Sequence, residues 1–244
     1  MESAMFSTDD MEFSSTPPDI IEEANNVVNN LLPAKSKKKS VGYNGKKAKV
    51  FSTDEMKTFI DEAPDNTHLL IKVVLILGVM GACRRQELHD LKFDDVKDLG
   101  SSLLVSIPNS KTNVSRAFTV TGKYYAICKK YMNLRPEACK SQYFFVNYYC
   151  GKCTVQNVGI NKVGNMGKQI ATYLNLPDPQ SYTGHCFRRS SATMLVGAGG
   201  DITSLKRHGG WKSTTVAEGY IDESRQNKLK ISNTILNSIE NQNT

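Results

Sequence analysis

The sequence predicts a mainly α-helical domain with a small antiparallel β-sheet, and three observations predict it. Asn66–Met80 is apolar over most of its length and is as long as a helix rather than a strand. Leu103–Ile107 and Arg116–Val120 are short β-type runs flanking the turn-like Asn109-Ser110-Lys111-Thr112-Asn113, the pattern of a hairpin. From Tyr124 onward, segments of helical spacing follow one another to the C-terminus.

Taken in order, residues 1–34 carry seven acidic side chains and no Lys or Arg, with a Pro pair at Pro17-Pro18, which is the composition of a disordered leader. A short helix over Ile20–Leu32 is compatible with it. Residues 35–49 then hold seven Lys and no acid, among them Lys35, Lys37, Lys38, Lys39, Lys46 and Lys47. Such a run serves equally as a solvated linker, a nuclear import signal or a clamp on DNA phosphates. The folded part begins near Val50, dividing the chain into a leader (1–49) and a domain (50–244). Ser52-Thr53-Asp54-Glu55 fits a capping box, so a helix should run to about Glu62. Asn66–Met80 reads as a buried helix and Arg85–Leu91 as a further turn or two. After the hairpin come helices at Tyr124–Leu134, Gly164–Leu174, His185–Val196, Ile202–His208, Thr214–Tyr220 and about Ser224–Ile239.

Bulk properties narrow the function classes. The net charge of +7 belongs to residues 50–244, because the acidic and Lys-rich parts of the leader cancel. A folded body with that surplus favours an anionic partner, nucleic acid first. No apolar run approaches the length of a membrane span: the richest, Leu69–Val79, is short and contains Lys72. The N-terminus lacks the basic start and apolar stretch of a secretory signal. Six Cys in 244 residues point to a reducing compartment rather than a disulfide scaffold. Tyr148-Tyr149-Cys150-Gly151-Lys152-Cys153 holds the one Cys-x-x-Cys; with no second pair at zinc spacing it reads as a turn with two free thiols, and no metal or cofactor is expected.

Several constellations could carry chemistry. Arg84 follows the buried helix with Glu87 three residues on, near enough to hold its guanidinium, although a surface Arg–Glu pair looks the same. Lys111 sits at a turn tip, where a lysine is either solvated or in reach of a strand of nucleic acid. His185 and Arg188 share a helix face, an awkward pairing unless an anion lies between them. Trp211 is the only Trp, and Tyr220 follows nine positions later. Val216 and Tyr220 share a face, which should turn Tyr220 toward the body. A tyrosine nucleophile needs cations and a base nearby, since its ordinary pKa is about 10.

In this order, Arg84, Lys111, His185-x-x-Arg188, Trp211 and Tyr220 resemble the site of the tyrosine recombinase (phage integrase) superfamily. GACRRQEL is similar to its first Arg motif, PNSKTNVSR to its hairpin Lys motif, GHCFRR to its His-x-x-Arg box and GGW to its His-or-Trp position. The steps of 23 residues from Arg188 to Trp211 and nine to Tyr220 are the family's usual ones. The likeness covers about residues 50–235, and the acidic, Lys-tailed leader suggests a eukaryotic branch of the Crypton-transposon type. It implies the catalytic-domain fold of DNA breaking and rejoining enzymes, and strand exchange on double-stranded DNA without metal or ATP. Tyr220 would be the nucleophile and Arg84 and Arg188 the phosphate ligands. Trp211 would donate its indole N–H, His185 act as base or phosphate ligand, Lys111 as acid, and Glu87 would orient Arg84. It also implies self-association on DNA through the C-terminal helix around Leu229–Ile239, and a nuclear location in a eukaryote or a cytoplasmic one otherwise. Members usually carry a helical DNA-clamping domain before the catalytic one. Here about 50 residues stand in its place, which fits a truncated copy, a clamp supplied by a partner, or the Lys run as a partial substitute. A DNA-binding or regulatory protein descended from a recombinase, with no strand exchange, is the alternative.

Overall fold

In the computed structural model, which describes residues 47–108, 115–222 and 225–240, the first helix starts where its cap predicts. Helix α1 (Thr53–Glu62) is opened by a capping box: the Ser52 hydroxyl accepts from the Glu55 N–H and the Glu55 carboxylate accepts from the Ser52 N–H. The leader through Lys46 and the turn at residues 109–114 lie outside the described residues, and with them Lys35, Lys37, Lys38, Lys39, Lys46 and Lys111.

Helix α2 (Asp65–Met80) is the axis of the domain, with Leu69–Val79 buried without interruption. A helix apolar all round must be covered on all sides. It is covered by α4 (Gly122–Asn133), α5 (Ile160–Tyr173), α6 (Cys186–Gly197) and strands β3 (Arg116–Thr121) and β4 (Val146–Tyr149). Lys72, in the middle of the run, is only 4% exposed and survives there by pairing with Asp65 at 2.8 Å. Burial works against the Asp65 charge, but hydrogen bonds from Lys130 and Lys72 outweigh it and hold the carboxyl below its ordinary value.

The expected hairpin forms between β2 (Ser102–Ile107) and β3, with β1 (Val96–Asp98), which the sequence did not signal, added at the edge of β2 to give an antiparallel sheet in the order β1-β2-β3. Leu103, Val105 and Ile107 alternate inward along β2. A second hairpin pairs β4 with β5 (Lys152–Asn157) around Cys150-Gly151, whose positive φ angles of 44° and 81° suit a two-residue turn. The Cys-x-x-Cys is thus a strand-to-strand turn carrying free thiols, Cys150 exposed and Cys153 buried. Among the described residues no group of three or more His, Cys, Asp or Glu could hold a metal ion, and no helix is long and apolar enough to cross a membrane.

Helix α3 (Arg85–Asp90) packs on α5, which starts four residues before the expected Gly164. The chain then closes with α6, α7 (Ile202–Gly209), α8 (Thr214–Asp222) and α9 (Arg225–Glu240). A small apolar cluster of Ala192, Val196, Leu205 and Ala217 joins α6, α7 and α8, with Trp211 and Tyr220 packed against it. Val216 does not face the body as expected: it is 50% exposed, and Ala217 is the buried residue. The inward stripe of α8 is Ala217, Tyr220 and Ile221, so Tyr220 does turn inward, one residue out of phase with Val216.

Helix α4 is locked to β4 by one hydroxyl: Tyr131 Oη donates to the Val146 carbonyl at 2.6 Å and accepts from the Val146 N–H at 2.9 Å. Tyr131→Phe strands both backbone groups in the core, and urea denaturation should show a loss of about 2 kcal/mol; an unchanged midpoint would show that the two groups find other partners.

Candidate active site

The chain reaches Arg84 through a tight turn. Helix α2 ends at Gly81, Ala82 takes a positive φ of 46°, and Cys83 donates its N–H back to the Gly78 carbonyl. Gly81 is required by space: a Cβ there would lie 2.2 Å from the Phe118 ring of β3. Arg84 is the N-cap of α3, and Glu87, in the first turn of that helix, reaches back to it. Glu87 accepts from the Arg84 backbone N–H at 2.8 Å and from Arg84 Nη1 at 2.7 Å, as the sequence predicts.

Glu87 has a second partner that sequence reasoning missed. Arg116, the first residue of β3, donates from Nη2 to Glu87 Oε2 at 2.6 Å and from Nη1 to Oε1 at 3.3 Å, a two-pronged pair. Its Nε and Nη2 also reach the Gly81 carbonyl, at 3.3 and 3.1 Å. Nothing in a single sequence separates this Arg from an exposed strand residue; only its place within PNSKTNVSR, next to the hairpin turn, hinted at it. Glu87 is 6% exposed. Burial opposes its charge, but the hydrogen bonds from Arg116 and Arg84 prevail and hold its carboxyl below the ordinary range.

Arg188 sits on α6, 4% exposed. Its Nη1 donates to the Ala82 carbonyl and its Nη2 to the Gly209 carbonyl, both at 2.7 Å, so it ties the Arg84 turn to the end of α7. Burial first, then the charge of Arg84, brings its pKa down to about 10, against the opposing pull of Glu87; it stays a cation at neutral pH. The Trp211 ring lies under this guanidinium, 4.2 Å from Cζ to the ring centre. Trp211 also lies flat on Gly209, where a Cβ would come within 1.9 Å of the indole. Gly210, in the left-handed region at φ 64°, ends α7 and turns the chain into Trp211.

Tyr220 completes the group. Its ring centre is 5.3 Å from that of Trp211, and Arg189 Cζ is 5.7 Å from its ring. Beside it lies a cleft of about 180 Å³ lined by Lys47, Arg189, Val216, Gly219 and Tyr220. Lys47, expected among the DNA-binding lysines, therefore stands at the mouth of the Tyr220 cleft. His185 is the N-cap of α6, exposed, one turn before buried Arg188. The Arg85 stem is crowded over Gly164 and Gly184, where a Cβ would come within 2.8 and 2.9 Å of it. His208 bonds Ser191 Oγ at 2.7 Å, and burial followed by the charges of Arg116 and Arg188 lowers its pKa, leaving it neutral. The Cys83 thiol behind Arg116 is pushed up to about 12 by burial and is inert.

The structure therefore brings together Arg84, Glu87, Arg188, Trp211 and Tyr220 and adds Arg116; His185 is exposed one turn before Arg188, and Lys111 lies outside the described residues. Guanidinium groups beside a phenol can bind an oxyanion where that phenol attacks.

The phage integrase family is matched over residues 49–227. Among solved structures, the chain is similar to XerA recombinase at 17% identity and a TM-score of 0.62, covering 89% of this chain and 82% of that one. It is similar to XerH site-specific recombinase, bound to palindromic difH substrate in a post-cleavage complex, at 17% identity and a TM-score of 0.61. That match covers 78% of this chain and 54% of the XerH chain, so the region shared spans about half of that protein. Similarity to a lambda integrase (75-356) dimer bound to a COC′ core site is 15% in identity with a TM-score of 0.54, over 84% and 71% of the two chains. At these identities the likeness shows a common fold. No curated protein sequence matches the chain.

Glu87→Gln keeps the shape of the clamp and removes its charge. It should destabilise the domain by about 3 kcal/mol at pH 7, because buried Arg116 loses its counter-ion. The Glu87 pKa is lowered in the folded state, so its contribution is present above the ordinary carboxylate value of about 4.3 and is lost as pH falls through the lower folded value. Urea midpoints from pH 7 to pH 3 should therefore converge for the two proteins; a constant gap would show that the charge is not the source.

Proposed function

The chain belongs to the phage integrase family, and we propose that it cuts and rejoins double-stranded DNA through a covalent tyrosyl intermediate. The observation that carries the reading is the convergence of Arg188, Trp211 and Tyr220 beside the clamped Arg84. In the reaction, Tyr220 Oη attacks a backbone phosphorus. A tyrosyl O–P bond forms, the P–O5′ bond breaks, and the products are a 3′-phosphotyrosyl link and a free 5′-hydroxyl. His185 accepts or shares the phenol proton, and Lys111 gives a proton to the leaving 5′-oxygen. Arg84 and Arg188 bind the non-bridging oxygens, whose charge grows in the transition state. Arg188 spends two of its five N–H donors on carbonyls, which fixes the direction in which the others serve the phosphate. Trp211 supports Arg188 from below and offers its indole N–H. The phosphotyrosyl bond conserves the energy of the broken one, so attack by a 5′-hydroxyl reverses the step.

The Lys-rich stretch, Lys35, Lys37, Lys38, Lys39, Lys46 and Lys47, grips DNA phosphates, Lys47 doing so beside the Tyr220 cleft, and takes the protein to the nucleus in a eukaryotic cell, in keeping with a Crypton-type recombinase. Helix α9 is exposed along residues 228–239, with Leu229, Ile231, Ile235, Leu236 and Ile239 each about half accessible. A second protomer on the same DNA covers this face.

Two measurements test the reading. Nicked duplexes from a broad sequence library should trap a covalent protein–DNA adduct with the wild type and none with Tyr220→Phe. Tight duplex binding with no adduct from either protein would instead favour a DNA-binding descendant of a recombinase. Removing residues 225–244 should weaken multimer formation on DNA in gel-shift or sedimentation experiments while single-protomer binding persists; unchanged assembly would assign α9 to its own domain.

A further inference from the structure

Arg116 stands at the centre of the site and has no part in the phosphate chemistry. Its side chain is 6% exposed, and its donors are directed at protein acceptors: both Glu87 oxygens and the Gly81 carbonyl. Its stem also passes Gly210, where a Cβ would lie 3.8 Å from Arg116 Cδ. One side chain thus bonds the turn before Arg84 and the carboxylate that holds Arg84, and runs close to the cap that leads to Trp211. Arg84 bonds both Glu87 oxygens, through its backbone N–H and its Nη1, but both bonds come from a residue at the start of the same helix, whereas Arg116 reaches the carboxylate from β3. The fork of Arg116 fixes the carboxylate plane, because two parallel N–H bonds admit one orientation. The same fork steadies the Gly81–Ala82 turn, whose Ala82 carbonyl also anchors Arg188.

We propose that Arg116 is a positioning residue: it holds Glu87 and the Gly81–Ala82 turn so that the Arg84 guanidinium stands in place before the phosphate arrives. The effect on catalysis rests on the phosphoryl-transfer reading above; the ordering of Arg84 does not. A lysine at 116 keeps the charge and loses the fork, so charge alone would not suffice.

The test uses the full chain with Arg116→Lys, Arg116→Met, Arg84→Lys and the double variant Arg84→Lys/Arg116→Met. By NMR, the guanidinium N–H signals of Arg84 should be protected from exchange in the wild type and lose that protection in both Arg116 variants. In single-turnover adduct formation, Arg116→Met should be slower by about 100-fold, the scale of a catalytic group misplaced by an ångström, with DNA affinity unchanged. The double variant should be no slower than Arg84→Lys alone, because Arg116 acts through Arg84. Unaltered Arg84 protection, or losses that multiply in the double variant, would overturn the proposal, as would a loss of DNA affinity matching the loss of rate. If Arg116→Met fails to fold, Arg116→Lys reads the same quantities. If the wild type forms no adduct, the recombination reading falls, and the Arg84 exchange measurement alone decides the positioning role.

Discussion

Like charges gathered in one small region repel, and the Glu87 carboxylate is what lets Arg84, Arg116 and Arg188 remain together. Two of the three bond it directly. The third feels it as a counterweight to burial and to its neighbours. Remove that anion and the Gly81–Ala82 turn loses part of its support, because Arg116 and Arg188, which bond its carbonyls, are left without a counter-charge. Helix, hairpin and C-terminal helices meet at this turn, so the carboxylate organises elements far apart in sequence.

The second centre is the contact of Arg188 with Trp211. The indole faces a cation, packs on Gly209 and borders Tyr220, so one ring sets the distance between the Arg188 guanidinium and the Tyr220 phenol. Packing and function coincide here. The buried cluster of Ala192, Val196, Leu205 and Ala217 is too small to be a core by itself. It serves to dock α7 and α8 onto α6 in one orientation, which is the orientation that presents Tyr220.

Much of this was legible in the residues. The Ser52 capping box, the buried α2 and the hairpin of β2 and β3 each announce themselves through local chemistry or periodicity. Arg84, Glu87, Arg188, Trp211 and Tyr220 could be named because their order and spacing resemble one family's site, and the structure gathers them. What the sequence hid depends on tertiary contact. Arg116 is revealed only by the carboxylate it meets across the fold. Strands β4 and β5 were hidden because a Cys-Gly turn lacks the usual Asn-Gly signal. On α8 it is Ala217 and not Val216 that meets α6 and α7, a choice set by the tertiary placement of the helix.

The left-handed cap at Gly210 and the helix that follows have a consequence for length. Trp211 is fixed by Gly209 and Arg188, and Tyr220 is carried on α8, which begins at Thr214. A helix advances about 1.5 Å and turns about 100° with each residue. The step between the two aromatics therefore works as a gauge: one residue inserted into or deleted from α8 before Tyr220 would swing the phenol to another side of the helix while leaving the fold around Glu87 untouched. Sequence drift in this segment is free in kind at exposed positions such as Glu218 but closed in number, and the count of residues is itself part of the site.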